Sequence, residues 1–291
     1  MTETWRPTTL SASPTVTVFE TPTVIPTPAS TLPIPTLTAT PITVNSVPTS
    51  EFVVLPDDAL AHVRDIFAKG QVRGRDPHVF SKVGDSVALT SHYLIKFDTG
   101  LYDLGEYAYL QRVIDHFAGS YGRYGVAIHV GLTARGILDP LWANKEWCLP
   151  NESVLACEIR LNNPSLLIIR IGSNDNLAPD SFAEAMREVV SQTIESGVIP
   201  IIATKADRFE GEGNDNNEIL REIAADFQIP LWDFDRVAAT LPNHGLSPDG
   251  IHLTISETND YTQPSTFEYG YPISDLTALM MLDVILTEVI E

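Results

Sequence analysis

Gly84-Asp85-Ser86 directly follows the apolar-leaning run His78–Val83. All three residue types are common in turns, so one reading is a plain turn. The other is a serine nucleophile at the carboxyl edge of a sheet, where open α/β folds place their chemistry. A serine that attacks an acyl carbon needs a base, an acid to orient the base, and donors for the oxyanion. His252 offers the base. Asp249 precedes it by three residues in Asp-Gly-Ile-His, so one turn of chain carries a carboxylate to the imidazole. Asn174, within Gly-Ser-Asn-Asp (172–175), offers a side-chain NH2 donor after another apolar run. The backbone N–H groups of Ser86 and Gly131 complete a candidate oxyanion hole. Losing one such donor typically costs about 3–4 kcal/mol of transition-state stabilisation.

These groups are far apart in the chain, so a sheet has to gather them. Residues 78–83, 125–130, 165–171, 198–204 and 229–234 read as strands, each bounded by turn residues. Residues 165–171 form a near-continuous apolar run, as expected of a central parallel strand covered on both faces. Helical patterns fall at 56–70, 106–120, 180–197, 217–228 and about 274–290, with Asp180 placed to cap the third. Strand and helix alternate, which predicts an α/β fold with a parallel sheet between helices over 56–291. The motif glycines, Ser86, Asn174 and His252 then fall at strand ends or just before the last helix.

Taken together and in this order, the motifs resemble those of the SGNH/GDSL hydrolase family. Gly84-Asp85-Ser86 is similar to its nucleophile block. Residues 172–175 are similar to its Gly-x-Asn-Asp block, and 249–252 to its Asp-x-x-His block. The resemblance spans essentially the whole folded region. It implies a three-layer α/β/α, flavodoxin-like fold and ester hydrolysis without a cofactor or metal. It also implies Ser86 as nucleophile, His252 as base, Asp249 as its orienter, and Ser86, Asn174 and a glycine as oxyanion donors. The family's second block, Asn-x-Gly, has no direct match in His129-Val-Gly-Leu-Thr-Ala-Arg-Gly136. Gly131 is the first choice for that donor and Gly136 the second. His244, in a Pro-Asn-His-Gly turn, is read as a rim or turn residue and is the alternative base; Asp175 is read as structural. No Gly-rich dinucleotide or Walker loop follows any strand, and Gly-x-Ser-x-Gly is absent.

The rest of the chain bounds the setting. It has 291 residues, 44% of them hydrophobic, and a formal net charge of −20. That charge disfavours nucleic acid and anionic lipid as partners. No apolar run is long enough to cross a bilayer, so no membrane insertion is expected of this chain. Residues 1–55 are dominated by Thr and Pro, which keep a segment extended and unable to bury a core. Such segments hold domains away from a surface, so an extracellular or surface-tethered protein with a leader or anchor upstream is expected, a merely disordered cytoplasmic tail being the alternative. Cys148 and Cys157 agree with that setting. A disulfide between them would close a short loop worth about 2–3 kcal/mol; two free buried thiols are the alternative. The acidic Gly-rich stretch 207–218 lacks calcium-loop spacing and reads as a surface connection.

Aromatic residues gather in two segments that leave the expected active edge: Trp142 and Trp147, and Tyr261, Phe267, Tyr269 and Tyr271. They either stack on a sugar ring, line an acyl slot or pack within a long loop. The reading is therefore a serine esterase acting on small-molecule or polysaccharide esters, with carbohydrate O-deacylation foremost. The alternatives are a non-catalytic glycan- or protein-binding module on the same scaffold, or a lipase or thioesterase.

Overall fold

The computed structural model describes residues 13–15, 17, 42–175 and 179–291. Most of the expected Thr/Pro-rich stalk lies outside the described residues. Residues 42–54, however, are part of the folded unit, so that unit begins ahead of residue 56. Thr43–Val44 and Val47–Pro48 form a small hairpin, and Val44 and Phe52 are completely buried. Large apolar side chains interrupt the Thr/Pro pattern here, and burying them stabilises the fold.

The central sheet has five strands: β1 (Val53–Val54), β2 (Asp76–Gly84), β3 (Pro164–Arg170), β4 (Ile199–Ala203) and β5 (Leu231–Trp232). Their order is β1-β5-β4-β3-β2. β2 to β5 are parallel and β1 pairs antiparallel with β5. Every residue of β3 and β4 is buried, which is why both read as continuous apolar runs.

The strand expected at 125–130 is reduced to one parallel bridge, Gly84 to Ile128, on the free side of β2. The Ala127 carbonyl accepts from Gly84 N–H and the Gly84 carbonyl from His129 N–H, both at 3.1 Å. On the outer side of this segment, side chains take up the backbone groups of Val126. Val126 N–H donates to the Glu158 carboxylate at 2.6 Å, and the Val126 carbonyl lies 2.8 Å from His129 Nε2. Gly125 at φ 66° and Gly131 at φ 75° turn the backbone on either side, which leaves the extended stretch too short for a ladder. Counting the bridge as a strand position, the parallel strands run 2-1-3-4-5, the flavodoxin-like order.

Helices cover both faces. α1 (Asp57–Val72) packs on β3, β4 and the chain's last turn. α2 (Ala134–Leu138), α3 (Val154–Asn162), α4 (Pro179–Glu195) and α5 (Asp215–Asp226) form a contiguous layer. α6 (Gly270–Ile285) packs on β1 and β5. The layering is α/β/α. Asp180 lies inside the first turn of α4, which begins at Pro179, where an acid still complements the helix dipole. α6 starts four residues ahead of its expected position and is buried almost end to end. No helix among the described residues is long and apolar enough to cross a membrane.

Candidate active site

The order 2-1-3-4-5 puts a switch point between β2 and β3, from whose carboxyl ends the chain turns to opposite sides. Ligands of open α/β sheets bind there. Gly84 pairs with Arg170 in the ladder, so the two motif loops leave the sheet side by side. Asp85 turns the chain at once: its Oδ1 accepts from Val87 N–H at 2.9 Å, an Asx turn. Ser86 is thereby lifted to the edge, half-buried.

His252 Nε2 lies 3.0 Å from Ser86 Oγ. On the other side of the ring, Nδ1 lies 2.8 Å from Asp249 Oδ2. An ionised carboxylate only accepts, so Nδ1 carries the proton and Nε2 is left to accept from the serine hydroxyl. Asp249 Oδ1 also accepts from the backbone N–H of Ile251 at 2.9 Å and of His252 at 3.0 Å. The Ile251 amide, together with the imidazole, holds the Asp249 carboxyl below its ordinary range. The His252 and Asp249 side chains are 41% and 50% exposed, so this end of the site is open.

Asn174 is exposed at the end of the β3 loop. Its Nδ2 donates to Asp85 Oδ2 at 3.3 Å and to the Leu132 carbonyl at 3.2 Å. One amide therefore joins the residue before Ser86 to the residue after Gly131. Gly131 is half-buried with φ 75°, a left-handed conformation that suits glycine. Gly136 does not fit the role of reserve donor. It lies inside α2, where its N–H donates to the capping Thr133 hydroxyl. His244 sits in the 242–245 turn with a left-handed backbone, and the serine faces His252 instead.

The loop 172–175 is pinned from below. Asn216 Nδ2 donates to the carbonyls of Gly172 and Asp175 at 2.9 and 3.0 Å. Ser173 Oγ donates to Asp207 Oδ2 at 2.7 Å, and Asp207 pairs with buried Lys205 at 3.0 Å. The Asp175 carboxylate accepts from Ala134 N–H, at 3.1 and 3.2 Å, and so ties this loop to the start of α2. Burial pushes Asp85 up to about 6, against the pull of the Val87 amide and Arg170. It pushes Asp175 up to about 6 as well, against the Ala134 amide.

Sequence reasoning did not find Asp85 as the partner of Asn174. Its position in the Gly-Asp-Ser motif, next to the nucleophile, was the available signal. It also grouped aromatics that the fold separates. Tyr261 and Tyr271 are buried, and Phe267 packs against the core. Trp142 and Trp147 remain 38% and 58% exposed. Trp142 stands edge-on to His129, with ring centroids 6.3 Å apart, two residues before Gly131. Cys148 and Cys157 form a disulfide with Cα atoms 5.4 Å apart. It anchors the Trp147 segment to α3.

No family model matches the chain, and no curated protein matches it. Among solved structures it is similar to a variant of Axe2, an acetylxylan esterase from Geobacillus stearothermophilus. Identity there is 14%, over 70% of this chain and 93% of that one, with a TM-score of 0.45. It is similar to TesA at 18% identity, over 68% and 99%, with a TM-score of 0.42. It is also similar to the psychrotrophic esterase EstA from Pseudoalteromonas sp., at 12% identity over 72% and 99%, with a TM-score of 0.47. All three scores lie below 0.5, so the chemistry of this chain rests on its own side chains.

Proposed function

We propose that the protein is a serine ester hydrolase with Ser86, His252 and Asp249 as its triad. The observation that carries this is the continuous chain Ser86 Oγ–His252 Nε2 at 3.0 Å and His252 Nδ1–Asp249 Oδ2 at 2.8 Å. Its position at the switch point of the sheet supports the same reading.

In the first step Ser86 Oγ bonds to the ester carbonyl carbon and its proton passes to His252 Nε2. Asp249 keeps the imidazole oriented and stabilises the imidazolium. The carbonyl oxygen becomes an oxyanion, met by Asn174 Nδ2 and the backbone N–H groups of Ser86 and Gly131. Asn174 is held by two long bonds, 3.2 and 3.3 Å. Redirecting one N–H toward the oxyanion exchanges a weak bond for a charge-assisted one. Collapse breaks the carbon–oxygen bond to the alcohol, which leaves with the proton from His252. Water then repeats the sequence on the Ser86 ester and releases the acid.

The finer reading is removal of a short acyl group from a carbohydrate, outside the cell. An open triad accommodates a bulky alcohol. The exposed indole of Trp142, packed against His129 beside Gly131, and that of Trp147 further along the same segment offer faces for sugar rings. The disulfide fits an oxidising compartment.

Hydrolysis of p-nitrophenyl acetate and of acetylated xylo-oligosaccharides tests this, with Ser86→Ala as control. Activity lost in that variant, with a fluorophosphonate label on Ser86 in the parent, is the expected result. Equal turnover by Ser86→Ala, or no labelling of the parent, refutes the triad.

A further inference from the structure

Three side chains on one face of α6 reach all three chain segments that meet at the site. They are Tyr271, Ser274 and Asp275, whose spacing of three and four residues places them together on a helix. Tyr271 is 2% exposed, and Ser274 and Asp275 are fully buried.

Tyr271 makes the shortest link. Its hydroxyl donates to the Val87 carbonyl at 2.9 Å, one residue after Ser86. Its backbone N–H donates to the Thr254 carbonyl at 3.0 Å, two residues after His252. One residue thus spans the segments that carry the serine and the imidazole. The neighbouring Gly270 N–H donates to Thr254 Oγ1 at 2.7 Å. A Cβ at position 270 would lie 2.3 Å from the Gly245 carbonyl oxygen and 2.8 Å from Leu253 Cβ. Glycine there lets the helix begin directly against the His252 segment.

One turn on, Asp275 repeats the link. Its Oδ1 accepts from Leu94 N–H, downstream of Ser86, and its Oδ2 from Asn259 Nδ2, downstream of His252, both at 2.9 Å. Leu94 has φ 64°, a conformation unfavourable for leucine, so this amide is held where the free chain would not put it. Lys96, 3% exposed, closes the ring by donating to Asn259 Oδ1 at 3.1 Å and to the Ser256 carbonyl at 2.5 Å. Between them, Ser274 Oγ accepts from Arg170 Nη1 at 2.7 Å, at the end of the strand that leads to Asn174.

We infer that the first two turns of α6 are a positioning bridge that sets the Ser86–His252 separation, with Tyr271 as its principal positioning residue. This rests on the proposed esterase reading. The side chains touch no reacting atom. They fix the three loops relative to one rigid helix, and small displacements of catalytic groups are costly.

Tyr271→Phe tests the bridge, because it removes one hydroxyl and keeps the ring. Thr277→Val is the control. Thr277 is buried on the same helix; its hydroxyl accepts from Trp232 Nε1 and donates to the Ile273 and Ser274 carbonyls, and bonds neither the Ser86 nor the His252 segment. With p-nitrophenyl acetate, Tyr271→Phe is expected to lower kcat about tenfold with KM unchanged. Thr277→Val is expected to lower only the melting temperature. A Tyr271→Phe kcat equal to that of the parent overturns the inference, as does an equal kcat loss in Thr277→Val. A parent inactive on every ester refutes the esterase reading instead. A crystal structure of Tyr271→Phe then still decides the bridge. Separation of Ser86 Oγ from His252 Nε2 beyond hydrogen bonding supports it, and an unchanged distance overturns it.

Discussion

Replacing Asp249 by Asn leaves shape almost intact and removes one charge. The carboxylate serves three donors: Oδ1 takes the amides of Ile251 and His252, and Oδ2 takes His252 Nδ1. An Asn can satisfy only part of this set. If its oxygen keeps the two amides, its NH2 faces Nδ1 and forces the proton onto Nε2. The ring then donates to Ser86 and cannot act as its base. Turning the amide restores the tautomer but breaks both backbone bonds. Each is worth about 0.5–1.5 kcal/mol, at the low end here because the group is half exposed. The turned amide also loses charge-assisted stabilisation of the imidazolium, roughly another 1–1.5 kcal/mol. The cheaper route therefore costs about 2–2.5 kcal/mol, or about 30- to 70-fold in kcat at 1.36 kcal/mol per decade. KM should change little, because Asp249 lies behind the ring. Steady-state kinetics on p-nitrophenyl acetate measure this, with His252→Ala as the floor. A kcat within about threefold of the parent would refute the assigned tautomer and the base role of His252.

Asn174→Ala should lower kcat by about 10²–10³ if its NH2 meets the oxyanion, and a loss confined to KM would count against that role. Asp85→Asn sets an NH2 against that of Asn174, so kcat should fall while the Val87 turn persists. The same variant should flatten part of the pH dependence of stability. Asp85 is raised to about 6 by burial, so the folded state binds an extra proton between the unfolded value and about 6. Its stabilising contribution is complete at low pH and lost as pH rises through about 6, which urea midpoints at pH 5 and 8 will read. Opening the disulfide with Cys148→Ser and Cys157→Ser together should cost about 2–3 kcal/mol of stability in denaturant titration. Trp147→Ala should raise KM for an acetylated oligosaccharide by a larger factor than KM for p-nitrophenyl acetate. Equal changes on both would argue against a sugar platform.

Residues near one another in sequence declared themselves early. Asp249 and His252 are three apart and their pairing needs only a local turn. The apolar runs of β3 and β4 announce strands covered on both faces. Polar motifs at predicted strand ends pointed to one edge of the sheet. The failures share a cause. The strand expected at 125–130 had suitable side chains, but the fold sets Gly125 and Gly131 at positive φ on either side and leaves it one bridge to β2. Tyr261 and Tyr271 look like Tyr269 in sequence. Burial separates them, and burial depends on what packs opposite.

Local residue pattern by itself determined the α/β alternation, the candidate nucleophile, base and acid, and the pairing of the last two. Only the tertiary structure decided that Asn174 reaches Asp85 across 89 residues and that Ser86 meets His252 across 166. The same holds for α6, which binds the two segments to each other. The physical reason is one of range. Hydrogen-bonded turns and side-chain periodicity are set within a few residues. Distances between loops are set by strand order, by close packing and by the buried polar contacts that close only once the whole chain has folded.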